Sequence, residues 1–217
     1  MQILSYIIVV IVAYLAGSIP TGFLVGKAKG VDIRTVGSKN MGATNVFRVL
    51  GTAPGIFVLV VDGLKGFAAC TWLVDLLLNF ISSPSDLELL RIIAGIAAVL
   101  GHNYTCWLWF KGGKGIATTA GVYFALAPWA VTIAICVFII AVLVTRYVSI
   151  GSIAAAVALP LPVWLGKWKS DSLTLQLVTT ALCIMAIVNH KKNIQRLLNG
   201  TESRIGKKSA AAPEVAK

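Results

Sequence analysis

An all-α integral membrane protein with seven transmembrane helices, its N-terminus outside and its C-terminus in the cytoplasm, is the fold class this sequence predicts. Three observations lead there. Of the 217 residues, 58% are hydrophobic and only 12% are charged, against roughly 25% charged in soluble domains, and the mean hydropathy is +0.86. The apolar residues gather in runs approaching the roughly 20 residues a spanning helix needs. The basic residues fall in the gaps between those runs, the pattern that positive-inside sorting and anionic lipid produce. This leaves room for one membrane domain over residues 1–202, with 203–217 read as a disordered cytoplasmic tail.

The first apolar segment, 3–26, has no Lys or Arg before Lys27. It lacks the basic start of a signal peptide and reads as a retained helix that begins outside. The next loop, 27–53, carries Lys27, Lys29, Arg34, Lys39 and Arg48 and is cytoplasmic. Segment 54–80 crosses to 79–90, which holds Asp86 and Glu88 without Lys or Arg, and segment 89–103 returns to the basic stretch 101–115. Residues 116–144 form one long helix, or two, 116–127 and 128–144, broken at Ala127-Pro128. The tail after 190 carries Lys191, Lys192, Arg196, Arg204, Lys207, Lys208 and Lys217, so an even number of crossings must follow residue 115. Two helices, with 147–165 and 173–190, give four crossings and bring Arg146 inside, leaving Lys167 and Lys169 outside. Segment 116–127, about 18 Å long at about 1.5 Å per residue, crosses only partially or relies on polar flanks.

The net charge of +11 does not indicate nucleic acid, because no basic face interleaves with stacking aromatics. Cys70, Cys106, Cys136 and Cys183 are widely spaced in or beside apolar runs, so neither a disulfide framework nor a zinc site is expected. No metal and no cofactor is called for.

Three segments carry chemistry. The first reads Gly37-Ser38-Lys39-Asn40-Met41-Gly42-Ala43-Thr44-Asn45, followed by Arg48. Its glycines let backbone N–H groups turn inward as an anion nest, and Arg48 offers a bidentate fork for phosphate. The second is Phe110-Lys111-Gly112-Gly113-Lys114-Gly115-Ile116-Ala117-Thr118. It fails the G-x-x-x-x-G-K-[ST] spacing and follows no strand, so ATP hydrolysis is unsupported. Glycines and lysines at a helix start still make a phosphate cradle. The third has His190 and Asn193 three apart on one helical face, then Arg196 and Gly200-Thr201-Glu202. Asp62 and Lys65, three apart in an apolar segment, read as an intrahelical ion pair. His102, beside Asn103, Tyr104 and Thr105, suggests a hydrogen-bonded turn.

Together these motifs closely resemble the bacterial acyl-phosphate-dependent glycerol-3-phosphate acyltransferases, the PlsY family. The resemblance runs from Gly17-Ser18-Ile19-Pro20-Thr21-Gly22 to Gly200-Thr201-Glu202. Its most specific parts are 37–48, 111–118 and the His-x-x-Asn-Ile-x-Arg of 190–196. It implies a seven-helix enzyme of the bacterial inner membrane with its active site facing the cytoplasm. The implied reaction moves a fatty acyl group from acyl phosphate to the sn-1 hydroxyl of glycerol 3-phosphate, giving lysophosphatidic acid and phosphate. The implied partners are those two substrates, membrane lipid and the enzyme that makes acyl phosphate. Ser38, Arg48, His190 and Asn193 match positions needed for activity, the glycines of 112–115 match an acyl-phosphate segment, and Glu202 matches a position thought to support structural integrity. The sequence departs from many members after His102, where Tyr104-Thr105-Cys106-Trp107 lacks a proline, so the turn geometry there does not carry over.

The expected catalytic set is therefore Ser38, Arg48, Lys114, His190 and Asn193. Substrate binding falls to Gly37, Asn40, Gly42, Thr44, Asn45, Lys111, Gly112, Gly113, Gly115 and Thr118. Arg48 with Lys111, Lys114 or both supplies the electrostatics, Ser38 is a ligand and not a nucleophile, and either His190 or a substrate phosphate takes the hydroxyl proton. A transporter of small anions or phosphate esters is the alternative, and it predicts broken helices in both halves.

Overall fold

The computed structural model describes residues 2–81, 86–166 and 172–206, and among these no strand occurs. The chain forms α1 (Gln2–Ser18), α2 (Thr21–Ala28), α3 (Ala43–Leu50), α4 (Thr52–Cys70), α5 (Trp72–Leu77), α6 (Leu87–Asn103), α7 (Ile116–Leu126), α8 (Pro128–Thr145), α9 (Val148–Ala158), α10 (Pro160–Leu165), α11 (Leu173–Asn189) and α12 (Lys191–Leu198). Five stretches are long and apolar enough to cross a membrane: Gln2–Ala28, Thr52–Cys70, Leu87–Leu108, Pro128–Thr145 and Val148–Leu165. A sixth is the pair Leu173–Asn189 and Lys191–Leu198 if its two arms, bent by 51°, count as one span. The remaining predicted segment is α7, an apolar helix of 11 residues.

The break at Pro128 is real. Ala127 leaves helical geometry at φ −149°, ψ 72°, and Pro128 opens α8, where its missing N–H is unneeded. Segment 54–80 is not one helix. The chain breaks at Thr71, at φ −118°, ψ −94°, and the Thr71 hydroxyl donates to the Phe67 carbonyl at 2.8 Å, beside the Thr71 N–H that the same carbonyl accepts at 3.2 Å.

Close backbone approach joins the bundle. A Cβ on Gly17 would strike the Ala98 carbonyl, and one on Gly101 the Tyr14 carbonyl, so α1 and α6 pack along their length. Tyr14 Oη also donates to the Tyr104 carbonyl and Thr105 Oγ1 to the Ser18 carbonyl, both at 2.6 Å. The latter bond holds the turn for which no proline is present. A Cβ on Gly66 would strike the Thr118 carbonyl and one on Gly121 the Gly63 carbonyl, which packs α4 on α7. Small residues that let helices touch are how packing is achieved when lipid offers no hydrophobic gain.

A core of α6, α7, α8, α9 and α11 side chains surrounds Tyr123. Its hydroxyl donates to Thr179 Oγ1 at 2.7 Å, so the buried phenol has its partner. Outside, α8 exposes Ile133, Ile139, Ile140, Leu143 and Val144, suited only to acyl chains. Exposed Trp72, Trp129 and Trp164 mark one end of the bundle and Trp107 and Trp109 the other, as interfacial aromatics do.

The α4–α7 contact is directly testable. Gly121→Ala should lower the thermal midpoint in detergent by about 4 °C or more, since overpacking costs about 1–3 kcal/mol. Gly63→Ala, whose nearest neighbour would be the Ala117 carbonyl at 3.7 Å, should leave it nearly unchanged.

Candidate active site

The site begins with the loop after α2. Asn45, almost fully buried, donates through Nδ2 to the carbonyls of Ile33 and Val36 at 3.0 and 3.1 Å. Its Oδ1 accepts the Ser38 N–H at 2.7 Å, and Asn40 Oδ1 accepts the Gly42 N–H at 2.9 Å. Side-chain amides thus tie an irregular loop onto α3, and Thr44 and Asn45, each about one helical turn before Arg48, meet one cavity with it.

The second element is the return from α6 to α7. The N–H groups of Gly112 and Gly113 donate to the carbonyls of Asn103 and His102, each at 3.0 Å. These two glycines therefore spend their donors on the end of α6 and are not a free anion cradle. Gly115, at φ +81°, starts α7, and a side chain there would be doubly penalised: by the left-handed backbone and by Asn103 Oδ1 at 2.7 Å. Gly63 lies beside Ala117, so α7 starts level with the middle of α4. Its first N–H groups are unpaired within the helix, and its first residues, Ile116 and Ala117, line the cavity.

The third element is the bend after α11. His190 Nδ1 lies 2.8 Å from the Ala186 carbonyl. A carbonyl only accepts, so Nδ1 carries the proton and Nε2 holds the free lone pair. Lys114 Nζ donates to Asn193 Oδ1, Asn193 Nδ2 to Glu202 Oε1 at 2.7 Å, and Arg196 Nε to Glu202 Oε2 at 2.6 Å. Residues beyond α12 are held too: Ile205 N–H donates to the Arg146 carbonyl at 2.9 Å and Arg204 Nε to Tyr147 Oη at 2.7 Å. Residues 203–206 thus form a strap, and the rest of the predicted tail, 207–217, lies outside the described residues.

The cavity these elements enclose is about 130 Å³. Of the expected site residues it is lined by Ser38, Asn40, Gly42, Thr44, Asn45, Arg48, Lys114, Gly115, His190 and Asn193. Gly37, Lys111, Gly112, Gly113 and Thr118 do not line it. Thr118 is fully buried with its carbonyl against Gly66 of α4, and Lys111 is exposed. Sequence reasoning missed Ser149 and Ser152 as lining residues, although a serine pair three apart in an apolar span was a legible signal. It also gave Asp62, His102 and Glu202 structural readings, yet all three line the cavity.

The electrostatics favour anions. Burial draws the Arg48 guanidinium below its ordinary value, with Glu202 opposing. Burial also lowers Lys114 to about 8, helped by Arg196 and Arg48 and opposed by Glu202. Burial alone would raise Glu202, yet hydrogen bonds from Asn193 and Arg196 bring its carboxyl below the ordinary range. Both of its oxygens are therefore engaged, and Arg48 and Lys114 remain the cations facing the cavity.

A second, apolar groove of about 710 Å³ adjoins the first and shares Leu59, Ile116, Ala117, Phe138 and Ser152 with it. Side chains of α4, α7, α8, α9 and α11 line it, with exposed Val60, Leu64, Phe124 and Ile139 along its edges. A pocket for an anionic polar group thus opens into a groove for a hydrocarbon chain.

Among known proteins, the family described as glycerol-3-phosphate acyltransferase matches residues 7–200. A glycerol-3-phosphate acyltransferase of Geotalea daltonii is 45% identical over 199 residues, covering 92% of this chain and 97% of that protein. One of Geobacter sulfurreducens is 46% identical over 201 residues, covering 93% and 98%. Among solved structures, the glycerol 3-phosphate form of PlsY, an integral membrane glycerol 3-phosphate acyltransferase, is similar with a TM-score of 0.82 and 39% identity over 93% of this chain and 96% of that one. Its lysophosphatidic acid form gives 0.79 and 38% over the same shares.

Lys114 is charged below about pH 8 and loses its proton above it. Calorimetric binding of inorganic phosphate should therefore weaken as pH rises through about 8, and Lys114→Arg should remove that dependence.

Proposed function

This chain belongs to the glycerol-3-phosphate acyltransferase family, and from that premise we propose that it transfers a fatty acyl group from acyl phosphate to the sn-1 hydroxyl of glycerol 3-phosphate. The products are lysophosphatidic acid and inorganic phosphate, formed at the cytoplasmic face of a bacterial plasma membrane. One observation carries the reading: the cavity holding Arg48 and Lys114 shares a wall with the apolar groove. Such a pair suits one small phosphate ester and one lipid whose phosphate sits at the boundary. Seven crossings, N-terminus outside, are part of the proposal, supported by the basic loops at 27–53, 101–115 and after 190.

Acyl phosphate enters sideways, its chain in the groove and its phosphate toward Lys114 and the first N–H groups of α7. Glycerol 3-phosphate binds with its phosphate on Arg48 and its sn-1 hydroxyl toward the acyl carbonyl. The hydroxyl oxygen bonds to the carbonyl carbon, the carbon–oxygen bond to phosphate breaks, and the hydroxyl proton passes to His190 Nε2. Phosphate leaves readily, so the protein's work is proximity and charge stabilisation. Asn193 holds Lys114 in position through the Glu202–Arg196 pair, and Ser38 serves as a ligand.

Purified protein should release inorganic phosphate only when acyl phosphate and glycerol 3-phosphate are both present. Release without that dependence would sink the reading in favour of the transporter. Arg48→Ala should lose turnover by about 10²-fold or more at normal expression. His190→Ala should lower kcat by about 10²-fold or more, whereas a loss under tenfold would make the departing phosphate the proton acceptor.

A further inference from the structure

Two side chains in the depth of the cavity take no part in this scheme. Asp62 lies in α4 and His102 in the last turn of α6; both are at least 97% buried, at 2% and 3% exposure, and both line the polar cavity. Asp62 has a structural duty, and one oxygen performs it. Oδ1 accepts from Lys65 Nζ at 2.8 Å and from Thr21 Oγ1 at 3.0 Å, while Lys65 also donates to the Ile19 carbonyl at 3.1 Å. This ties α4 to the junction of α1 and α2. Among the described residues no donor reaches Oδ2. His102 Nδ1 stands 3.7 Å from Asp62 Oδ1, beyond hydrogen-bonding range, and has no hydrogen-bond partner among the described residues. Its ring lies against Gly113, which holds it still.

A buried polar atom with no partner is costly; His102 Nδ1 is one, and the Asp62 carboxylate beside it lines the same cavity with Oδ1 alone engaged. The other carboxylate and amide oxygens that line it are spoken for. Glu202 uses both oxygens on Asn193 and Arg196. The Oδ1 atoms of Asn40, Asn45 and Asn193 take Gly42, Ser38 and Lys114. His190 Nε2 is assigned to the reacting hydroxyl. A carboxylate oxygen and a ring nitrogen beside it do not attract a phosphate; they attract a hydroxyl.

We propose that Asp62 and His102 hold the middle, unacylated hydroxyl of glycerol 3-phosphate and so set specificity for the glycerol backbone. The hydroxyl donates to Asp62 Oδ2, and its oxygen accepts from the His102 Nδ1–H. The inference rests on the function proposed above. The geometry also gives a buried ion pair in a membrane span a use: Lys65 and Thr21 fix Asp62 through Oδ1, so that Oδ2 stays available. A site built to bond a hydroxyl rejects a ligand that lacks it, because its own polar groups are then left unpaired.

The test compares glycerol 3-phosphate with 3-hydroxypropyl phosphate, which lacks only the middle hydroxyl, using palmitoyl phosphate as donor. Wild-type kcat/KM should fall at least tenfold with the deoxy substrate. Asp62→Asn and His102→Phe should bring the two substrates within threefold of each other, by losing activity on glycerol 3-phosphate and little on the analogue. Equal use of both substrates by the wild type overturns the proposal. So does an equal loss on both in the variants, which would mark the pair as structural. If Asp62→Asn does not accumulate, the wild-type ratio and His102→Phe decide alone. A wild type inactive with glycerol 3-phosphate would instead sink the function on which the inference rests.

Discussion

The contact between α4 and α7 is the constraint from which the site follows. Because Gly121 and Gly66 carry no side chain, the two backbones touch, and α7 is pinned with its first turn beside the middle of α4. An 11-residue helix spans about 16 Å, roughly half of a hydrocarbon core. The chain before it is a loop folded back onto α6, and the polar cavity lies where that loop meets the first turn of α7, lined by Lys114, Gly115, Ile116 and Ala117. The same short helix forms a wall of the apolar groove, so one packing decision brings water-soluble and lipid-soluble chemistry to a common boundary.

That arrangement also explains how charges survive so deep. Lys114 is steadied by Asn193, and Asn193 by Glu202, whose second oxygen engages Arg196. The chain of bonds runs from the α6–α7 return through α12 to Glu202 just beyond it, so two distant segments share one electrostatic unit. Removal of any member would leave a buried polar group unpaired, which costs more than the lost bond itself. Glu202, whose sequence reading was structural, therefore sets the position of a cation that faces the cavity.

Much of this was legible. The donor-rich loop at 37–48 and the pair His190 and Asn193 lie where motif reading expected, because glycine, amide and guanidinium groups advertise anion binding wherever they cluster. The split at Pro128 was forced by charge parity and by the backbone chemistry of proline. Less legible were the roles of Gly112 and Gly113, whose N–H groups look free in a sequence but bond to α6. The break at Thr71 was invisible because an apolar run gives the same hydropathy whether or not one peptide leaves helical geometry.

Sequence alone determined that this is a helical membrane protein whose candidate anion-binding residues come from three segments, since composition and residue chemistry are local properties. Tertiary structure decided which of those residues meet. It chose Lys114 over Lys111, turned two glycines from ligands into fasteners, and brought Asp62 and His102 of separate helices to one cavity wall. Such choices depend on helix contacts across tens of residues, and those contacts are set by which side chains are absent as much as by which are present.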